Sequence, residues 1–351
     1  MREGAGMGEA AIQLHYLMQP LAGWLDDPAT EELCLNRPGD VFVRQHGEFR
    51  REAVGLELAD LEDIATLAGA LRKQDVGPRN PLCATELPGG ERLQICLPPA
   101  VPAGTVSLTI RKPGRSVAPL NSLSSRYAFA RWNQWQARDA ARARNLGGLL
   151  ALYDRGDLEG FLAAAVQMRL TILLCGATGS GKTTMSKTLI SAIDPAERLI
   201  TIEDTIELVI PQPNHVRLLY SKDDIGLAHV SAEALLQASL RMRPDRVLVQ
   251  ELRDDAAGTY INEVVSGHPG SITSIHGKDA PQGFKKLFSL VKGSAQFRGW
   301  NDVTLIDLLA NAIDLIIPFE NRGPSYAIGE VWFAAEASRR GSSAADLLKG
   351  I

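Results

Sequence analysis

The chain contains no pair of cysteines spaced as Cys-x-x-Cys. Its four cysteines, Cys34, Cys83, Cys96 and Cys175, are scattered along 351 residues. That scatter argues against a zinc ribbon or a disulfide framework and for reduced, structural thiols. No run of about 18 apolar residues occurs, so no membrane-spanning helix is expected. The N-terminus lacks the basic-then-apolar layout of a secretory signal, and the chain is expected to stay in the cytoplasm. Excess positive charge is missing too. A formal net charge of −4 gives no overall pull toward nucleic acid or anionic lipid. Aromatic residues make up only 6% of the chain, little material for a groove that stacks single-stranded bases. Internal repeats and low-complexity tracts are also absent.

What remains is the composition of an ordinary soluble protein, 45% hydrophobic and 22% charged, in a chain long enough for two domains. In the first part, Leu14, Leu17, Met18, Leu21 and Leu25 recur at helical spacing, with Pro20 as a kink. Short strand-like runs broken by turns follow (EELCL, VFVRQ, HGEF), then a helix marked by Leu61, Ile64, Leu67, Ala68 and Leu71. LPGGERLQICL and TVSLTIRKP read as further strands. Residues 1–112 are therefore expected to form an α+β domain. Residues 113–155 have few periodic apolar positions and a basic stretch, RDAARARN, and read as a linker or connecting helix. From there strand and helix patterns alternate, and 156–351 is expected to be an α/β domain around a central, mostly parallel sheet.

The strongest signal lies at residues 170–190, LTILLCGATGSGKTTMSKTLI. An apolar strand runs into Gly176, Ala177, Thr178, Gly179, Ser180, Gly181, Lys182, Thr183 and Thr184, and a helix follows. This is the G-x-x-x-x-G-K-[ST] spacing of a phosphate-binding loop. Small residues let backbone N–H groups converge on phosphate oxygens, Lys182 reaches the β- and γ-phosphates, and the Thr183 hydroxyl ligates Mg²⁺. The helix adds the positive end of its dipole. ATP and Mg²⁺ are the expected cofactors.

Two apolar runs in the second half end in acids: RLITIEDTIEL at Glu203 and Asp204, and RMRPDRVLVQELRDD at Glu251. Ligands bind at the carboxyl ends of the strands in such sheets, and an acid there holds Mg²⁺ or its waters. SGHPGSITSIHG places His268 and His276 around a short strand, too far apart for a zinc pair.

In order and wording, these boxes resemble the secretion ATPase superfamily, which powers type II and type IV secretion and type IV pili. Together with LCLNRPGDVFV, LPGGERLQICLPP and SLTIRKP they are most similar to the traffic ATPases of type IV secretion systems, over residues 26–319. The resemblance implies a RecA-like ATPase domain beneath an N-terminal sheet-and-helix domain, assembled as a homo-hexameric ring. It also implies catalytic roles. Glu203 matches a water-activating glutamate, Glu251 a second acid near Mg²⁺, and His276 a sensor of the γ-phosphate. Arg92 and Arg111 match arginines that reach nucleotide from the first domain. Gln250 stands where the family usually carries glycine. The expected partners are the other ATPases and inner-membrane components of a type IV secretion system, with the chain peripheral at the cytoplasmic face of the inner membrane. A type IV pilus or type II secretion ATPase is the alternative. A nucleic-acid translocase on the same core is a more distant one, and direct nucleic-acid binding stays open.

Overall fold

The computed structural model describes residues 8–114, 137–221, 228–265, 267–321 and 325–349. In the first domain, helix α1 (Glu9–Leu17), a 3-10 turn at Gln19–Leu21 that contains Pro20, and a short α2 (Ala22–Asp26) precede the first strands. These are β1 (Thr30–Leu35), β2 (Asp40–Gln45) and β3 (Glu48–Ala53), followed by α3 (Leu58–Leu71), β4 (Leu82–Glu86), β5 (Arg92–Cys96) and β6 (Ser107–Arg111). The strands form one antiparallel sheet in the order β3-β2-β1-β6-β5-β4. Alternation along each strand decides which face is apolar. Leu33 and Leu35 of β1, Leu93 and Ile95 of β5, and Leu108 and Ile110 of β6 join Leu14, Leu61 and Ile64 in one core under the helices. The other face carries Glu32, Cys34, Gln94 and Thr109, all buried.

The second domain begins with α4 (Ala137–Asp154) and α5 (Leu158–Gln167). The segment expected to act as a connector is in part a packed element. Leu149 of α4 is buried with Phe161, Leu162 and Leu189, and Tyr153 packs edge-on against Phe161. The basic stretch lies in the first half of α4, where the side chains fall outside the described residues.

Strand β7 (Ile172–Gly176), helix α6 (Lys182–Ser191), β8 (Leu199–Glu203), β9 (His215–Leu219), α7 (Ala232–Ser239) and β10 (Arg246–Val249) come next. They lead to α8 (Ala256–Val265), β11 (Ile272–Ile275), α9 (Ala280–Gly293), α10 (Asp302–Ala312), β12 (Leu315–Asn321), β13 (Tyr326–Ile328) and β14 (Trp332–Phe333). The sheet order is β13-β12-β7-β11-β10-β8-β9, with β14 also on β12. The pairs from β12 to β9 are parallel, and β13 and β14 are antiparallel additions. Helices cover both faces. Leu173 and Cys175 point into the core formed with α7 to α10, while Ile172 and Leu174 point into the core formed with α4 to α6. This two-sided burial is why the strands read as unbroken apolar runs.

Arg198, fully buried just before β8, ties the two domains together. Its Nη1 donates to Asn36 Oδ1 (2.9 Å) and to Asn214 Oδ1, its Nε to the Met242 carbonyl (2.8 Å), and its Nη2 to Thr109 Oγ1 (3.3 Å). Asn36 and Thr109 belong to the first domain, so one guanidinium bridges the polar face of its sheet to the second domain. Arg198→Met removes a donor from several buried acceptors at once, and the expected loss of stability is about 2–3 kcal/mol. Urea unfolding of the full chain measures it; an unchanged midpoint would show that the interface does not depend on this residue.

Candidate nucleotide site

Strand β7 ends at Gly176, the chain turns through residues 177–181, and α6 starts at Lys182. The loop needs its glycines for two separate reasons. Gly179 (φ +73°) and Gly181 (φ +95°) adopt left-handed backbone that L side chains rarely occupy. At Gly176 the constraint is space: a Cβ would stand 2.3 Å from Ser180 Oγ and 3.1 Å from the Phe319 carbonyl oxygen. Lys182 Nζ folds back to donate to the carbonyls of Gly176 (2.7 Å) and Ala177 (2.8 Å), which holds the loop in a ring. Burial lowers the Lys182 pKa, opposed by the nearby negative charge of Glu251. Ser180 Oγ is buried with no hydrogen-bond partner among the described residues. Thr183, in the first turn of α6, is half-buried, while Ala177, Thr178 and Thr184 are exposed.

Beyond the loop, the carboxyl ends of β8, β10 and β11 come together. Glu251, just past β10, contacts His276 Nε2 through Oε1 (2.9 Å) and Arg253 Nη2 through Oε2. Arg253 also reaches Asp204 Oδ2 (3.3 Å). Gln250 spans the gap to the acidic segment: its Oε1 accepts from the Asp204 N–H (3.2 Å), and its Nε2 donates to Glu207 Oε2 (3.1 Å). The residue that stands in place of a glycine thus joins the end of β10 to the loop after β8. His268 is not part of this group. Its pKa is lowered, chiefly by burial, and its ring bonds to the backbone of Pro244.

Glu203 is placed differently from the expectation. Strand β8 runs through it, and the side chain is fully buried. Oε1 accepts from Thr201 Oγ1 (2.7 Å) and from Arg217 Nη1 (3.1 Å), and Oε2 from the N–H groups of Glu207 (3.1 Å) and Leu208 (3.0 Å). In this structure neither carboxylate oxygen is exposed and both are engaged by protein donors. Glu203 instead folds the segment that follows. The exposed carboxylate of that segment is Glu207, which the sequence reading passed over. The available signal was the second glutamate of EDTIEL, four residues on, beyond a strand that the sheet buries on both faces.

Arg92 and Arg111 do not join the Lys182 cluster either. They are cross-strand partners on β5 and β6 and line a cavity of about 540 Å³ with Arg72, Gln94, Leu240 and Arg241. No residue of the phosphate loop borders that cavity. Arg111 lies 3.8 Å from the buried Glu32 carboxylate, whose other oxygen is 3.6 Å from Arg243. Burial raises the Glu32 pKa against the pull of these arginines.

A parallel sheet flanked by helices, a glycine loop closing on a lysine, and acids at neighbouring strand ends define a RecA-like P-loop nucleotide-binding domain. The sequence profile of the Type II/IV secretion system protein family matches residues 145–318. The chain is 66% identical over 340 residues to Protein VirB11 of Rhizobium radiobacter, covering 97% of this chain and 99% of that one. It is 40% identical over 328 residues to the type IV secretion system protein VirB11 of Bartonella quintana, covering 90% and 91%. The crystal structure of the VirB11 ATPase from the Brucella suis type IV secretion system in complex with sulphate superposes with a TM-score of 0.85 at 36% identity, covering 95% of this chain and 97% of that one. The chain belongs to the VirB11 family of type IV secretion ATPases. Among the described residues, no helix is long and apolar enough to cross a membrane.

Proposed function

We propose that this chain hydrolyses ATP with Mg²⁺ as a homo-hexameric motor at the cytoplasmic face of the inner membrane. There it works with other components of a type IV secretion system in pilus biogenesis and in transfer of DNA or protein. The observation that carries the reading is the closed phosphate loop, with Lys182 beside the Glu251–His276 pair at the carboxyl edge of a parallel sheet. Residues 176–184 would cradle the phosphates. The buried, unpartnered Ser180 hydroxyl and the left-handed glycines suit a loop built around an anion.

The donor set also suits Mg²⁺. Thr183 offers a hydroxyl and Glu251 a carboxylate, while no group of three or more His, Cys, Asp or Glu side chains able to hold a metal gathers among the described residues. A hard cation here would therefore take its remaining ligands from phosphate and water, as Mg²⁺ does with nucleotides. When bound, it would neutralise charge developing on the transferring phosphoryl group. Glu251, already shared between His276 and Arg253, would meet the cation through water, and His276 would follow the γ-phosphate through Glu251.

Water positioning passes from Glu203 to Glu207 in this reading. Glu207 is exposed and hydrogen-bonded to Gln250, which stands beside Glu251; Glu203 shapes the loop that carries it. Glu207→Gln should lower turnover by about 10²-fold or more at unchanged nucleotide affinity. Glu203→Gln should instead lower the unfolding temperature, because an amide cannot accept from all of the donors now facing both oxygens. Steady-state ATPase assays paired with thermal unfolding separate the two roles. A fully stable but inactive Glu203→Gln beside an active Glu207→Gln would reverse the assignment.

Arg92 and Arg111, set apart from their own phosphate loop, are proposed to act on the nucleotide of a neighbouring subunit. Head-to-tail contacts that close into a ring would place one subunit's edge against the next subunit's site.

A further inference from the structure

We propose that Tyr326 is the residue on which the base of the bound nucleoside triphosphate stacks, an assignment that rests on the nucleotide reading above. The direction of the triphosphate follows from the order of the sheet. Strand β7, which leads into the phosphate loop, lies between β12 and β11. Glu251 and His276 gather on the β11–β10 side, where the terminal phosphate and its cation belong. A chain of phosphates with its far end there carries the nucleoside out over the opposite flank, toward β12 and β13.

That flank is built closely against the loop. Phe319 of β12 is in register with Gly176, and the space between them leaves no room for a side chain at 176. Tyr326, paired with Asn321 across the β12–β13 hairpin, lies beside Gly181. Its ring carbons Cγ, Cδ1 and Cδ2 are 3.0, 3.3 and 3.3 Å from where a Cβ on Gly181 would stand. Near-equal distances to both Cδ atoms, with Cγ nearest, describe a point over the face of the ring and not at its edge. One face of the tyrosine therefore rests on the last glycine of the phosphate loop. The residue is nonetheless 59% exposed, so much of the ring is open on the side where the base would arrive. A large aromatic side chain left that exposed, and fixed by backbone pairing next to an anion loop, provides the flat apolar surface that a purine requires.

The test is calorimetric titration of full-length wild type, Tyr326→Phe and Tyr326→Ala with ATP and, separately, with inorganic tripolyphosphate. The Phe variant should bind ATP like wild type. The Ala variant should bind ATP about tenfold more weakly, the size of one base–aromatic stack. All three should bind tripolyphosphate alike, because it carries no base. An Ala variant with undiminished ATP affinity overturns the proposal. So does one that loses tripolyphosphate in step with ATP, since the ring would then be shaping the loop. A wild type that binds neither ligand removes the underlying nucleotide site itself.

Discussion

Lys182→Ala is expected to abolish ATP turnover, a loss of about 10³-fold or more, while the protein stays folded. The two effects separate because of where the ammonium sits. Among the described residues Lys182 Nζ bonds only to the carbonyls of Gly176 and Ala177, and Ala177 is exposed, so water can replace much of what the fold loses. Nothing replaces a cation aimed at the β- and γ-phosphates in a partly desolvated loop. Circular dichroism and unfolding should match wild type, and phosphate release should fall to background. A variant that kept half its activity would refute the site.

The second large effect concerns Arg111, whose removal should lower turnover by about 10³-fold, the scale of an arginine that stabilises charge on a transferring phosphoryl group. Arg92 and Arg111 line a cavity that their own phosphate loop does not border; if a neighbouring subunit's arginine completes the site, as proposed, specific activity should rise with protein concentration and plateau as rings form. Mixing two inactive proteins, Lys182→Ala and Arg111→Ala, sharpens the test. In mixed rings some interfaces unite an intact loop with an intact arginine, and partial activity should return. No recovery in verified mixed rings would place Arg111 at the nucleotide of its own chain, by a movement away from Glu32. Flat specific activity from monomer to ring would eliminate the shared site.

The features legible in the sequence are those that local geometry dictates. The glycine spacing from 176 to 181 admits few backbone paths, and the structure shows positive φ at Gly179 and Gly181 and a helix from Lys182. The largely apolar runs at 172–175, 199–202 and 247–249 are strands because a sheet covered on both faces favours apolar residues on both sides of each strand. Leu14, Leu61 and Ile64 fell on the buried faces that their helical period assigned. By contrast β4, LCATE, gave little strand signal; it lies at the edge of its sheet with several positions open, so no strict alternation was required.

The sequence by itself therefore determined that the chain has a phosphate loop in an α/β domain, that a sheet-and-helix domain precedes it, and that both belong to a secretion ATPase. Tertiary structure alone decided what the individual side chains do. Strand β8 extends through Glu203, and the covering loop and Arg217 turn that acid into a buried scaffold, leaving Glu207 outside. Arg198 looks like any basic residue at the start of a strand, yet the first domain closes over it and makes it the bridge between the sheets. Arg92 and Arg111 could be matched by their motifs, but only the structure shows them lining, with Leu240 and Arg241, a cavity that their own loop does not border. The physical reason is common to these cases. Backbone conformation responds to the few residues on either side, whereas the burial, partners and charge state of a side chain are set by neighbours that the fold brings in from far along the chain.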